Sequence, residues 1–325
     1  MMLQLDASAL AACLDREALI DALDAAFRGS VVVPPRQQYA IPAAGGRDGT
    51  LLVMPAWQAG ASLGIKLVTV YPDNARQGLP AVAATYVLLD ASTGVPRALL
   101  DGEELTLRRT GAASALASRY LSPPQASRLA MVGTGRLAPH LIESHARVRP
   151  IREVRIWGRR SERARAVAAS LRSPQLRVEA VDDLEAAVRW ADVVSCATLS
   201  QQPLVRGDWL HAGQHLDLVG AFNPQMCEAD DAAVARAELY VDTRAGALVE
   251  SGELVGALAR GVIGPQAVRA ELSELASDRF KRSHPAAITL FKSVGTALED
   301  LAAAELALAR QALFEARAAG EIHRE

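Results

Sequence analysis

The sequence predicts an α/β protein in which a doubly wound parallel sheet follows a region of mostly antiparallel strands. Three observations carry that prediction. The run Leu129-Ala130-Met131-Val132-Gly133-Thr134-Gly135-Arg136-Leu137-Ala138 is a short apolar segment that ends in a G-x-G turn and opens into a helical pattern. That is the strand, turn and helix start of a dinucleotide-binding βαβ unit, with Ala138 as the small third fingerprint residue. Strand-like runs recur near 129–132, 153–157, 176–180, 192–197, 215–219 and 238–242, with helical patterns between them, the alternation of a parallel sheet covered on both faces. The first hundred residues lack that alternation and read as strands separated by turn clusters.

Taken in order, Asp15 to Phe27 is amphipathic, with Leu19, Ile20, Leu23 and Phe27 on one helical face. After Pro34-Pro35-Arg36, the stretch Gln37 to Ile41 alternates like a strand, and the glycine-rich turn 45–49 leads into a second strand from Thr50 to Met54. Ser62 to Tyr71 is a β-branched run with Lys66 in its middle, broken by Pro72-Asp73-Asn74. Ala83 to Asp90 and Pro96 to Leu100 are two further strands about the turn 91–94. Glu103 to Tyr120 is helical, and Pro123-Pro124 marks a domain boundary. Beyond the parallel series, Pro265 to Ala276 reads as a helix, Ala287 to Ser293 as a short apolar piece, and Thr296 to Ala319 as a long alanine-rich helix.

Half of the 325 residues are hydrophobic, and the net charge is -2. That balance argues against a nucleic-acid surface, and no stretch is apolar enough to span a membrane. Cys13, Cys196 and Cys227 are scattered, with no CxxC. They read as reduced thiols, Cys196 as a buried structural one, and no metal site is expected. The pair His211 and His215 has a helical metal spacing, but Gly213 lies between them and a strand follows. The expectation is a soluble cytoplasmic protein.

Basic residues are overwhelmingly arginine, and the lysines are Lys66, Lys281 and Lys292 alone. A lysine amid Ile65, Leu67 and Val68 is costly unless it lines a cleft. Arg36, Lys66 and Arg109 are candidates for one cluster, two guanidiniums to fix a carboxylate and an ammonium for the reacting centre. At the second parallel strand the sequence is Trp157-Gly158-Arg159-Arg160-Ser161. The acid that takes the ribose of NAD in this motif is absent, and Arg159 and Arg160 can instead clamp a 2′-phosphate. NADPH is therefore the expected cofactor, with NADH as the alternative.

Four segments stand in order along the chain: Leu63-Gly64-Ile65-Lys66-Leu67-Val68, Arg109-Thr110-Gly111-Ala112-Ala113, Gly133-Thr134-Gly135, and Ile288-Thr289-Leu290-Phe291-Lys292-Ser293-Val294-Gly295. Together they resemble the ornithine cyclodeaminase/μ-crystallin family over essentially the whole chain. The resemblance implies a Rossmann-type NAD(P)-binding domain, residues 122–294, inserted into a mixed α+β substrate-binding and dimerisation domain. That outer domain is residues 1–121, completed by the C-terminal helix 295–325. It implies that Arg36 and Arg109 hold a substrate carboxylate, that Lys66 sits beside the reacting carbon as the catalytic group, and that Asn74 lines the pocket. It further implies cofactor contacts from Gly133, Thr134, Gly135, Arg136, Leu137, Ala138, Gly158, Arg159, Arg160, Ala197, Thr198, Val219, Gly220, Ala221 and Ser293, and a homodimer.

One position discriminates among the family's reactions. Cyclodeaminases carry an aspartate two residues before a proline after the fifth parallel strand. Here the segment is Val219-Gly220-Ala221-Phe222-Asn223-Pro224, and Phe222 holds that place. A phenyl ring neither binds an amino group nor moves a proton. Asp217 is a poor substitute, since it lies inside the strand. The G-A-F-x-P form resembles the bacterial members that reduce cyclic ketimines, Δ1-pyrroline-2-carboxylate to L-proline and Δ1-piperideine-2-carboxylate to L-pipecolate, with Phe222 packing on the substrate ring. The alternatives are ornithine cyclodeaminase, an alanine dehydrogenase-like or opine-type activity, and a non-catalytic NADP-dependent binding protein of the μ-crystallin kind.

Overall fold

The computed structural model describes residues 2–43 and 45–319. The chain divides into two compact units, one made of the residues up to Arg109 together with those from Thr296 onward, the other of Thr110–Gly295. In order, the elements before the division are β1 (Leu3–Leu5), α1 (Ala7–Cys13), α2 (Arg16–Arg28), β2 (Gln37–Ile41), β3 (Gly49–Trp57), β4 (Ser62–Val70), β5 (Val82–Asp90), β6 (Pro96–Asp101) and α3 (Gly102–Leu121). The division falls inside α3, ahead of the Pro123-Pro124 break marked in the sequence. Then come β7 (Arg128–Val132), α4 (Leu137–Val148), β8 (Glu153–Trp157), α5 (Ser161–Leu171), β9 (Arg177–Ala180), α6 (Leu184–Trp190), β10 (Val193–Cys196) and β11 (His215–Leu218). They are followed by α7 (Asp231–Arg236), β12 (Glu238–Val241), α8 (Arg244–Glu250), α9 (Gly252–Ala259), β13 (Val268–Glu271), α10 (Leu272–Ala276), β14 (Thr289–Lys292) and α11 (Ala297–Ala318). Of the expected C-terminal segment, residues 320–325 lie outside the described residues.

In the first unit β1-β6-β5-β4-β3-β2 is one sheet, antiparallel except that β1 runs parallel to β6. Register places Met54, Lys66, Tyr86 and Leu100 in one row across it, and all four are buried. Helix α11 covers that face, packing on β3, β4 and β5 and also on α1 and α2. Asp15 caps α2 by accepting from the Glu17 and Ala18 amides, and Thr296 caps α11, each satisfying helix-end donors that would otherwise be unpaired. The opposite face of the sheet is also apolar, yet Leu51, Val53, Ile65, Val87, Leu89 and Leu99 are only half-buried there, and Tyr39 and Leu67 are exposed.

The second unit is an eight-stranded, wholly parallel sheet ordered β13-β12-β14-β11-β10-β7-β8-β9. The chain is thus α/β, as predicted. Strands buried on both faces read as continuous apolar runs, which is why 129–132 and 192–197 are legible and why the apolar piece 287–293 is a central strand, β14. The expected helix from Pro265 to Ala276 is a correction. Its first part is the edge strand β13, whose Val-Arg-Ala-Glu alternates buried and less buried residues, and only Leu272–Ala276 is helical. Strand β1 and helix α1 went unread, because three residues joining a sheet edge far along the chain leave no local period. Among the described residues no helix is long and apolar enough to cross a membrane.

Candidate active site

In the second unit the predicted cofactor residues gather at the carboxyl ends of adjacent strands. Gly133 to Ala138 follow β7, Gly158 to Arg160 follow β8, Ala197 and Thr198 follow β10, Val219 to Ala221 follow β11, and Ser293 follows β14. The sheet order reverses between β7 and β10, the switch point at which open α/β sheets bind ligands. Backbone bonds carry the ladder to that edge: Gly133 donates to Trp157, Ala197 to Val132, Val219 to Cys196 and Ser293 to Leu218, at 2.9 to 3.1 Å. Gly133 has φ +125°, and a Cβ there would lie 2.5 Å from the Ala197 carbonyl oxygen. Gly135 faces open space. No side chain caps the N-terminus of α4, where the Ala138 amide donates to the Gly135 carbonyl (3.1 Å) and Pro139 has no N–H; the positive end of the helix dipole there favours an anion. Arg159 and Arg160 are exposed.

Two acids that the sequence reading passed over organise this edge. The buried Glu228 carboxylate accepts from the Thr198 amide (2.6 Å) and hydroxyl (2.9 Å) and from the Gly220 and Ala221 amides (2.8 and 3.3 Å). Burial raises its pKa, and Glu253 adds to the rise while Lys292 opposes it. Lys292 Nζ lies 3.4 Å from Glu253, both wholly buried. Asp242 accepts from the Ser293 hydroxyl and from the Val294 and Gly295 amides at 3.1, 2.8 and 2.7 Å. A signal is present in the sequence: Lys292, a lysine in an apolar strand, calls for buried acids.

Asp217 does not reach that edge. Inside β11 it accepts from Ser114 (3.0 Å), Ser195 (2.7 Å) and His145 (3.2 Å) and is fully buried. Burial pushes its carboxyl up, and His145, Ser195 and His215 more than compensate, leaving it below the usual range. Phe222, four residues past the strand, is 48% exposed. Cys196 is buried, its thiol pushed well up by burial. His211 bonds to backbone carbonyl oxygens and His215 to Thr289, each with its own structural partner.

In the first unit Lys66 and Arg109 come together through α11. Lys66 Nζ lies 2.6 Å from Asp300 Oδ2 and 3.5 Å from the Thr106 hydroxyl. Arg109 donates through Nε to Asp300 Oδ1 (2.9 Å) and through Nη1 to Glu299 (2.6 Å). Lys66 and Arg109 are 2% and 6% exposed and both acids 0%. Both cations expected in the cluster are thus engaged by acids of α11. Burial pulls the Lys66 pKa down to about 8, Asp300 opposing the fall and Arg109 adding to it. The Asp300 carboxyl is raised by burial but brought below its usual range by Lys66 and Arg109.

Arg36 is half-buried one residue before β2. Since Gln37 pairs with Val53 and Met54 with Lys66, Arg36 stands two strands from Lys66, about 10 Å across the sheet. Asn74 opens the turn after β4 and donates to the Pro80 carbonyl (2.9 Å), which closes the loop on itself. From the turn between β2 and β3, Arg47 donates to Asp73 of this loop through its amide and guanidinium at 2.8 to 3.1 Å. Glu299 and Asp300 went unread because acids in the first turn of a helix usually face water, where the helix dipole favours them. Their place among Leu298, Leu301 and Ala302 was the available signal.

The sequence model of the ornithine cyclodeaminase/mu-crystallin family matches residues 2–312. The Delta(1)-pyrroline-2-carboxylate reductase of Paracoccus denitrificans is 38% identical, over 82% of this chain and 87% of its own. The ketimine reductase mu-crystallin of Rattus norvegicus is 36% identical, over 86% and 85%. The solved structure of Thermococcus litoralis Delta(1)-pyrroline-2-carboxylate reductase in complex with NADH and L-proline has a TM-score of 0.90 and 31% identity, covering 97% of this chain and 98% of that one.

Proposed function

The chain belongs to the ornithine cyclodeaminase/mu-crystallin family, and on that footing we propose that it reduces cyclic 2-imino acids with NAD(P)H. Δ1-pyrroline-2-carboxylate would give L-proline and Δ1-piperideine-2-carboxylate L-pipecolate. The observation that carries this reading is the loop after β11. It offers the exposed ring of Phe222 where a cyclodeaminase needs an acid, and Asp217, inside the strand, is held by three donors. Without an acid to handle a leaving amine, what remains is addition of hydride to a preformed imine, the reaction for which its relatives are named.

The nucleotide edge fits a dinucleotide, because the uncapped start of α4 and the open face of Gly135 leave room for a pyrophosphate. Arg159 and Arg160, with no acid at the end of β8, favour NADPH over NADH. A bound reduced nicotinamide supplies the hydride. The chain's own part is to fix the substrate carboxylate on Arg36 and Arg109, pack Phe222 against the methylene ring and give the imine nitrogen a proton from Lys66. Asn74 lines the pocket, and Ser293 borders the nicotinamide.

We read the assembly as a homodimer. The first sheet is apolar on both faces and α11 covers only one, so a second copy would bury the face of Leu51, Val53, Ile65, Leu67, Val87 and Leu99. Three unpaired thiols suit a reducing cytoplasm.

The test is loss of nicotinamide absorbance with NADPH, then NADH, on cyclic imine generated in situ, beside a parallel reaction of ornithine with NAD. Turnover of the imine alone is expected. Proline and ammonia from ornithine would overturn the reading, as would folded protein that leaves the imine untouched.

A further inference from the structure

We propose that Asp300 is the positioning residue that holds Lys66 in its protonated, proton-donating form. The proposal rests on the reductase reading above for what the proton is used for, and on the first unit alone for the pairing itself.

Lys66 is 2% exposed, and a buried ammonium tends to lose its proton. Its row neighbour on β3 is the apolar Met54. On β5 it is Tyr86, whose hydroxyl burial pushes well up and so keeps neutral. From α3 come Thr106, which is uncharged, and Arg109, which repels it. From α11 come Glu299 and Asp300. Glu299 takes Arg109 Nη1, whereas Asp300 divides its oxygens, Oδ1 to Arg109 Nε and Oδ2 to Lys66 at 2.6 Å. Of the two acids, Asp300 is thus the one in contact with the ammonium. Its place in the first turn of α11, behind the Thr296 cap, stabilises it as an anion.

The charges of the four groups sum to zero, two cations against two anions. Lys66 can therefore stay charged beside Arg109 in a dry setting, and a substrate with a carboxylate and an unprotonated imine nitrogen meets a proton donor in a group of no net charge. In the step itself one N–H bond of Lys66 breaks and one forms at the imine nitrogen. The C=N pair moves onto that nitrogen as C2 accepts hydride from the reduced nicotinamide. Lys66 is left as a neutral amine beside an Asp300 that remains anionic, and water restores its proton.

Because the chain holds three lysines, Lys66, Lys281 and Lys292, labelled-lysine NMR of the full cofactor-free chain resolves them, and the Lys66→Arg variant assigns the signal by its loss. Lys66 is expected to titrate near 8 in the wild type and at least one unit lower in Asp300→Asn. Glu299→Gln should move it less. An unchanged Lys66 titration in folded Asp300→Asn, or an equal shift in Glu299→Gln, would overturn the proposal. Should Asp300→Asn fail to fold, Asp300→Glu keeps the charge one methylene away and is expected to lower the titration by a smaller step. No change there overturns the proposal too.

With cyclic imine as substrate, the alkaline limb of kcat should move down in Asp300→Asn. A one-unit shift costs roughly fivefold in activity at pH 8, and the deficit shrinks as the pH falls, a pattern that general damage to the fold does not produce. An unmoved limb beside a shifted NMR titration would mean that Lys66 is not the donor. Wild-type protein inert toward the imine would refute the reductase reading while leaving the titration to judge the Lys66–Asp300 pairing.

Discussion

At the scale of single residues the site is a set of charges placed where water does not reach. Lys66→Ala should lower kcat on the cyclic imine about a hundredfold or more, the usual worth of a positioned proton donor. NADPH binding, followed by fluorescence, should persist, and undiminished turnover would remove Lys66 from the mechanism. His215 makes a prediction about stability. Burial lowers its pKa to about 3, and its Nε2 has no hydrogen-bond partner. An unfolded histidine titrates at about 6.5. Between those values the unfolded chain binds a proton that the folded chain refuses. The contribution is therefore intact above that range and is lost as the pH falls, at roughly 1.4 kcal/mol per unit. Melts between pH 7 and pH 5 should show that slope, and it should flatten in His215→Gln. The cations of the site were legible because a lysine in an apolar strand is anomalous by itself. Glu299, Asp300, Glu228 and Asp242 were not, since an acid looks ordinary in sequence until its surroundings prove apolar.

At the scale of elements, the nucleotide edge shows why some segments can be read and others cannot. A strand–turn–helix passage such as 129–138 carries its geometry in adjacent residues, and the parallel strands announce themselves by burial on both faces. Strand β13 is too short for its alternation to outweigh a helical reading, and β1 depends on a partner some ninety residues away. The end of β8 carries the prediction at this scale. Replacing Arg159 and Arg160 together by alanine should raise KM for NADPH by about tenfold or more, through lost charge-assisted bonds to the 2′-phosphate. KM for NADH should change little. Equal effects on both cofactors would mean that the pair only opens a basic helix. The four motifs that suggested the family lie on such locally encoded elements, which is why the resemblance could be drawn from them and was borne out along residues 2–312.

At the scale of the whole molecule, two features are not encoded in any single segment. The first is the half-buried apolar face of the β1–β6 sheet, opposite α11. Leu67→Glu, placing a charge on the exposed side of β4 and away from Lys66, should convert a dimer to a monomer in sedimentation while leaving the nucleotide edge able to bind cofactor. A wild-type chain that sediments as a monomer would dismiss the dimer. The second is the discontinuity of the first unit, whose sheet comes from the beginning of the sequence and whose covering helix, with Glu299 and Asp300, comes from beyond Thr296. Translation runs in one direction, and domains fold as their residues emerge. The parallel sheet, contiguous from Thr110 to Gly295, precedes α11 in the chain, so the Lys66 strand waits uncovered until α11 is made. A growing chain thus carries its lysine without the acids that would arm it, and the capacity to donate a proton arrives only when synthesis has passed Asp300.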